Sequence, residues 1–373
     1  MHDVLVVGAG PAGATAAVVL ARAGARVLVI DRARFPRDKL CGDTINPGTL
    51  RILARLNLDS AASDGLPVRG MIVTGESGVR VEGRYGEICG RALKRSAFDA
   101  ALVAAAIRAG ASVDEGVLAR EPIVEDGQVR GVWVAGPGGH SIRISAPLTI
   151  AADGSHSRLA RALGLARSAA RPRRWVVGAY FEDVDGITDC GEMHVRAGRY
   201  VGVAPLPRGL TNACIVTANR NALRDPVALL EGTLRNDRLL SDRFARARRI
   251  SAPVCFGPLA VDSASCGVPG LLLAGDAAGF IDPMTGDGLR FAVRGGELAA
   301  EAALPSLTRG HADAHVRLLA ARRGEFTAKW RFNRALRALV ESPPAIRAAG
   351  RGATLLPQIL RHVIRYAGDL RAA

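Results

Sequence analysis

After Asp3, residues 4–7 form a short apolar run that passes straight into glycines at positions 8, 10 and 13. A run of that length bounded by turn formers predicts a buried strand, and the small-residue stretch 14–23 that follows predicts a helix of good propensity. The same rhythm recurs. Residues 26–30 read as a second strand ending at Asp31. The stretch 46–56 reads as a helix with Asn46 as its cap and Pro47 at its first position. Residues 71–81, broken at Gly75 and Gly78, alternate like a hairpin. A strong helix is predicted over 96–109, capped by Ser96 and ended by Gly110, followed by strands over 112–118, 128–135 and 141–144. Residues 148–152 repeat the buried-strand pattern and deliver Asp153-Gly154 into a turn. Strand-like stretches at 175–181, 192–195, 200–204 and 212–217 precede an amphipathic helical stretch over 226–247. A last apolar strand, 271–274, runs into Gly275-Asp276, with Pro283, Gly286, Gly288 and Leu289 leading into a small-residue helix over 290–303. Residues 311–373 read as helical, divided at Pro343-Pro344 and at Gly350-Arg351-Gly352.

Three separated strands therefore end in acids: Asp31, Asp153 and Asp276. In a parallel sheet those ends share one edge, the edge where doubly wound folds bind ligands. The first unit carries the spacing G-x-G-x-x-G. Gly8 permits a tight turn, Gly10 lets a pyrophosphate approach the backbone, and Gly13 brings helix and strand together. Pro11 and Ala12 open the helix, whose free N–H groups face phosphate charge. Asp31, followed by Arg32, stands about 20 residues on, where a carboxylate binds a ribose diol. The expected fold is α/β: a Rossmann-like dinucleotide-binding domain built from 1–66, 91–164 and 254–310, an inserted antiparallel-sheet substrate domain from 67–90 and 165–253, and a helical C-terminal region, 311–373.

Composition narrows the function classes. At 373 residues and 49% apolar content the chain supports several lobes and is not disordered. The net charge of +15 is carried by arginine, since lysine occurs only at 39, 94 and 329. The arginines are spread along the chain, aromatic residues are 4%, and no nucleic-acid motif appears, so a solvated Arg-rich surface is expected and nucleic acid is not. The Arg-rich 311–373 stretch leaves peripheral membrane contact open beside a packing role on the other lobes. No apolar run is long enough to span a bilayer, and a cytoplasmic protein is expected. The six cysteines (41, 89, 190, 214, 255 and 266) have neither C-x-x-C nor metal-ligand spacing, so they are expected as free thiols with no metal site.

With these motifs the chain resembles the FAD-dependent family that holds 4-hydroxybenzoate hydroxylase-like aromatic monooxygenases, geranylgeranyl reductases and flavin-dependent halogenases. The resemblance rests on Gly8 to Gly13 with Asp31, on Arg95-Ser96-Ala97-Phe98-Asp99, on Asp153-Gly154 with Ser157 and Arg158, and on Gly275-Asp276 through Gly288. It implies FAD, with NAD(P)H or another electron donor binding transiently. By resemblance Arg95 reaches the phosphate or ribityl portion, Asp153 braces the pyrophosphate or simply caps a turn, and Asp276 binds a ribityl hydroxyl. Pro283, Gly286 and Gly288 shape the turn before a helix whose N-terminus faces the pyrimidine end of the flavin. Lys39-Leu40-Cys41-Gly42-Asp43 resembles the Cys-Gly stretch beside the isoalloxazine in geranylgeranyl reductases, although Cys41 is equally read as a small buried hydrophobe. The chemistry is therefore expected where Cys41-Gly42-Asp43 meets Pro283 to Gly288, and Asp43 and Asp287 are the ionisable groups there, each equally a turn cap.

Departures from the family matter as well. The Tyr-x-Trp-x-Phe-Pro stretch of geranylgeranyl reductases is replaced by Tyr200-Val201-Gly202-Val203-Ala204-Pro205, and the tryptophans are scattered, without the halogenase pattern. The leading expectation is monooxygenation of an apolar or aromatic small molecule through a flavin hydroperoxide. The alternatives are carbon–carbon double-bond reduction by the flavin and a non-catalytic flavin-binding electron relay.

Overall fold

The computed structural model describes residues 2–168, 173–309, 313–342 and 357–370, with isolated positions between the last two stretches. Its first sheet has six strands in the order Gly267–Val268, Leu271–Leu273, Leu148–Ala151, Val4–Val7, Val27–Asp31 and Ser112–Glu115. All are parallel except the Gly267–Val268 edge. Val4 stands between Val27 and Leu148, so the glycine turn leaves the middle of the sheet. Alternate residues point to opposite layers. Val4 and Val6 pack under the helices Pro11–Arg22, Arg95–Arg108 and Gly288–Ala303. Leu5 and Val7 pack against a three-stranded antiparallel layer, Ala119–Glu125, Gln128–Ala135 and Ser141–Ser145. Burial on both faces is why the first strand is apolar without alternation.

A second sheet runs in the order Arg248–Arg249, Trp175–Glu182, Thr211–Thr217, Arg199–Pro205, Cys190–Arg196, Gly70–Thr74 and Arg80–Arg84, with Val254–Phe256 also on the Trp175–Glu182 strand. Here period-2 alternation does hold. Val177, Ala179, Ile215 and Val201 pack under the helix Pro226–Asn236, whereas Val176, Cys214, Val216 and Tyr200 pack with Leu40 and Met284 on the side of the cofactor lobe. The long helix Ala314–Glu341 lies against Gly288–Ala303 through Phe291 and Phe326. The helix Pro357–Ala367 places Ile364 against the sheet edge at Gly83. The tail thus has the expected packing role.

Several elements differ from their sequence expectation, each for a physical reason. The 96–109 helix begins at Arg95, and Ser96 is not its cap; Lys94 occupies that place without a side-chain bond. The predicted 112–118 strand stops at Glu115, where Gly116 turns at φ +77°. The 226–247 helix is two helices, Pro226–Asn236 and Ser241–Phe244, because the Asp237 carboxylate accepts the Leu239 N–H at 3.0 Å and halts the first. The polar edge strand Ala119–Glu125 carries too little alternation to be read in advance. Of the predicted breaks in the tail, Pro343, Gly350 and Arg351 lie outside the described residues.

Candidate active site

The glycines of the first turn divide into two kinds. A side chain at Gly8 would meet Ala152 O at 2.4 Å, and Gly8 has φ +101°; one at Gly13 would meet Gly8 O at 1.8 Å. These two are demanded by packing. Gly10 is different. A Cβ there meets only the tip of Arg37, at 3.4 Å, and Cβ positions at Gly154 and Gly286 meet nothing within 4 Å. Open ground therefore runs along the carboxyl edge of the sheet where a dinucleotide is expected to lie, and the residues present fit an FAD pyrophosphate cradle. Pro11 is the first residue of the Pro11–Arg22 helix, and Ala12 is packed tightly enough that Cβ atoms at Gly275 and Gly296 would come within 2.8 and 2.1 Å of it. Gly275 thus serves helix packing, and Leu289 is buried in the same core.

The three acids do reach one edge. The Asp31 carboxylate, at the end of Val27–Asp31, accepts N–H bonds from Ala9 at 2.7 Å and Ala33 at 2.8 Å, so it ties the glycine turn to the second strand. Arg32 beside it is exposed. Asp153 accepts the Arg158 N–H at 2.9 Å, which is the turn-cap reading, while its other oxygen, Oδ1, is buried with no partner among the described residues. Burial raises its pKa. Asp276 lies 3.7 Å from Lys39 Nζ.

Arg95 is paired within its own helix. Its guanidinium is buried and committed to Asp99 through two 2.8 Å bonds one helical turn on, so it braces the loop from inside. Arg37, which the motif left out, shares Asp99 at 3.2 Å and stands at the mouth of the Gly10 turn.

The two segments expected to frame the chemistry are joined directly. Asn46 Nδ2 donates to Asp287 Oδ1 at 3.1 Å, linking the strand after Cys41-Gly42-Asp43 to the turn before the Gly288–Ala303 helix. Asp287 is buried, Lys329 of the long tail helix lies 3.4 Å from it, and burial raises its pKa against the pull of Lys329 and Arg290. On the other segment, Asp43 sits at φ +53° with its carboxylate inside. Its Oδ1 accepts the Arg95 N–H at 3.1 Å and its Oδ2 accepts Asn212 Nδ2 at 2.5 Å. Burial pushes this carboxyl up to about 6, against the Asn212 and Tyr180 hydrogen bonds and the Arg95 charge. Asn212 also donates to Cys41 O at 2.8 Å, and the Cys214 thiol approaches the same carbonyl at 3.4 Å. Asn212 and Cys214 hang from the second sheet, so that sheet covers the Cys41–Asp43 loop.

A further bridge was not foreseen. Asp282 accepts Tyr200 Oη at 2.6 Å and Arg174 Nη1 at 3.0 Å, and it also accepts the Met284 N–H at 3.1 Å. All three side chains are buried, and burial together with Asp282 drives the Tyr200 hydroxyl well above its ordinary pKa. The Pro283 turn is thereby pinned to the sheet above it. Tyr200→Phe removes one charge-assisted bond but leaves Asp282 paired, so a loss of about 1.5 kcal/mol is expected in chemical denaturation, at the low end for bonds to a charged group. An unchanged midpoint would show the bridge to be idle.

The arrangement is that of an FAD-dependent oxidoreductase: a glycine turn, an acid at each neighbouring strand end, and a helix N-terminus facing a covered gap. The family described as FAD binding domain matches residues 1–223, and the chain belongs to that FAD-dependent family. It is 32% identical over 321 residues to a digeranylgeranylglycerophospholipid reductase of Methanoculleus marisnigri, covering 83% of this chain and 78% of the relative. It is also 32% identical to a menaquinone reductase of Mycobacterium tuberculosis, covering 80% and 76%. Among solved structures, a geranylgeranyl bacteriochlorophyll reductase-like protein of Thermoplasma acidophilum superposes with a TM-score of 0.79 at 25% identity over 99% of both chains. A flavin-dependent brominase has a TM-score of 0.86 at 19% identity, covering 98% of this chain and 93% of its own, a likeness of fold. No helix among the described residues is long and apolar enough to cross a membrane.

Cys41 reports on the same junction. Its carbonyl, not its thiol, makes the bonds to Asn212 and Cys214, so Cys41→Ala is expected to keep the loop and retain FAD while altering turnover or substrate coupling. Flavin content and single-turnover rates measured on one preparation check this; loss of FAD would make Cys41 a structural residue.

Proposed function

We propose that this protein is a flavin-dependent carbon–carbon double-bond reductase acting on an isoprenoid chain. The observation that carries the reading is the extent of similarity to reductases. A match over 83% of the chain has to enter the 165–253 segment, because what it leaves uncovered is shorter than that segment. That segment carries the sheet over the Cys41–Asp43 loop. Both named reductases, to which the chain is similar, point to the second of the two flavin chemistries expected from sequence, and the monooxygenase reading receives no such support.

Bound FAD would supply a hydride. Gly10, the N-terminus of Pro11–Arg22, Asp276, Gly286 and Gly288 are the residues to hold it. The chain's own part is to exclude water and to supply a proton. Val176, Val216, Met284 and Phe280 make an apolar surround. The Asp43 carboxyl, raised to about 6, keeps its proton up to about that pH, well above an ordinary carboxyl, at the covered end of the loop. Gly202, on the strand beside Cys214, is a position where a Cβ would meet nothing within 4 Å. With Ala204 next along the face it leaves room for a broader group than an extended prenyl chain, such as a ring that carries one.

The experiment is to reduce the FAD-loaded protein with dithionite under anaerobic conditions and add either an unsaturated archaeal-type isoprenoid lipid or menaquinone. Flavin reoxidation with a product that has gained two hydrogens at a carbon–carbon double bond of its isoprenoid chain, assigned after any quinol is reoxidised to the quinone, is expected. A product carrying one added oxygen, formed only when air is admitted, would overturn the reading in favour of monooxygenation.

A further inference from the structure

Arg322, on the long helix Ala314–Glu341, is the largest fully buried side chain among the described residues, 2% exposed. A guanidinium does not give up its proton in a protein, and burying that charge without a counter-charge is costly. The other buried arginines and the buried lysine each face a carboxylate: Arg95 faces Asp99, Arg174 faces Asp282, Arg290 faces Asp369 and Lys329 faces Asp287. Arg322 faces none among the described residues. Its Nη2 donates to Ala278 O at 3.2 Å, while its Nε and Nη1 have no hydrogen-bond partner there. Two aromatic faces take up part of the charge, Phe326 at 5.1 Å and Trp330 at 5.6 Å. The Cys266 thiol lies beside the guanidinium, but burial pushes its pKa up, so it stays neutral and does not balance the charge.

The position of this cation supplies a reason for it. Ala278, whose carbonyl it holds, ends the short turn Gly275–Ala278, which follows the strand Leu271–Leu273 and carries Asp276 at the carboxyl edge of the cofactor sheet. The helix Gly288–Ala303 is reduced to glycine where the guanidinium passes. A Cβ at Gly295 would come within 3.0 Å of Arg322 Nη1 and 3.5 Å of Gly275 N, so those two atoms border one small space. Gly275 in turn stands against Ala12, since a Cβ at Gly275 would come within 2.8 Å of Ala12 Cβ. Two close contacts therefore lead from the guanidinium to the first turn of Pro11–Arg22, where the pyrophosphate is expected. What lies between is packed protein, through which a charge is screened far less than through water. The negative charge of a pyrophosphate is the balance that the chain itself does not provide.

We propose that Arg322 is a positioning residue for FAD: it holds the Gly275–Ala278 turn from behind, and its buried charge is balanced by the pyrophosphate of the cofactor. The proposal needs FAD binding only and does not depend on which flavin chemistry follows. It sets two effects in opposition. In the apoprotein the unpaired guanidinium destabilises the fold, whereas in the holoprotein the same charge strengthens cofactor binding. A side chain that served packing alone would have the same sign in both states.

The test compares the wild type with Arg322→Met, which is apolar and unbranched, and with Arg322→Lys, which keeps the charge. FAD retained by the holoprotein on serial dilution gives the Kd, thermal melting of the apoproteins reports on the fold, and the flavin midpoint potential reports on the ring. Arg322→Met is expected to raise the Kd for oxidised FAD at least tenfold while its apoprotein melts above the wild type. Arg322→Lys should recover most of the affinity. The pyrophosphate carries the same charge in both redox states of the flavin, so the midpoint potential should stay where it is. An Arg322→Met apoprotein that melts below the wild type, or does not fold, would make Arg322 a packing residue and overturn the proposal. An unchanged Kd for oxidised FAD would overturn it as well, and a more negative potential beside that unchanged Kd would assign the charge to the reduced ring in place of the pyrophosphate.

Discussion

Gly10→Val is expected to give a folded protein that cannot hold FAD. The backbone at Gly10 has φ −67°, which any residue adopts, and the neighbour a Cβ would meet is the flexible end of Arg37 at 3.4 Å. The cost to the fold is that of a poor helix cap, about 1 kcal/mol. The cost to the ligand is much larger. The valine methyl groups would stand where a pyrophosphate must approach the first turn of Pro11–Arg22, and each charge-assisted bond lost there is worth about 1.5–3 kcal/mol. Two such losses weaken binding more than about 100-fold. Gly8→Ala is the contrasting control, because it combines φ +101° with an approach to Ala152 O of 2.4 Å and should damage the fold itself. Bound-flavin absorbance after gel filtration, set beside thermal melting of the apo forms, separates the two effects. A Gly10→Val protein carrying a full complement of FAD would remove the glycine turn from the cofactor site.

The elements that were legible in the sequence are those whose cause is local. The apolar run, the glycine spacing and the Ala-rich helix lie within residues 3–23, and Asn46 caps its helix through the Thr49 N–H, three residues away. What escaped reading depends on residues far apart in the chain. The Asp43 carboxyl gets its environment from Arg95 and Asn212, which are 52 and 169 residues distant. Tyr200 and Asp282 meet across 82 residues. Faint signals did exist. Asn212 interrupts an otherwise apolar strand, Thr211–Thr217, and a polar residue in a buried strand has to find a partner. Arg95 and Asp99 stand at helical i, i+4 spacing, which favours pairing with each other over reaching outward. The family motif named Arg95 alone and passed over its Asp99 partner and Arg37, which shares that carboxylate and stands at the glycine turn.

Asp43→Asn is expected to abolish most turnover and to change the pH dependence of stability, with FAD retained. The substitution suits the backbone, since asparagine tolerates the left-handed φ of +53°, and an amide oxygen can still accept the Arg95 N–H once the Asn212 amide turns. The carboxyl is raised from 3.8 to about 6 by burial, so the folded state binds this proton more tightly than the unfolded chain. Its contribution to stability is therefore complete below about pH 3.8 and is lost as pH rises through about 6, a change of about 3 kcal/mol. The asparagine variant lacks that slope. Unfolding free energies from pH 4 to 8 should show the variant gaining on the wild type up to about pH 6 and level thereafter. Turnover carries the second readout. If the Asp43 proton completes double-bond reduction, the wild-type rate falls above about pH 6, and the variant, which has no proton to give, loses about 10²–10⁴-fold in rate at its optimum. Parallel pH–rate profiles for the two proteins, with equal flavin content, would return Asp43 to the role of a turn residue that holds the Cys41 loop against Asn212.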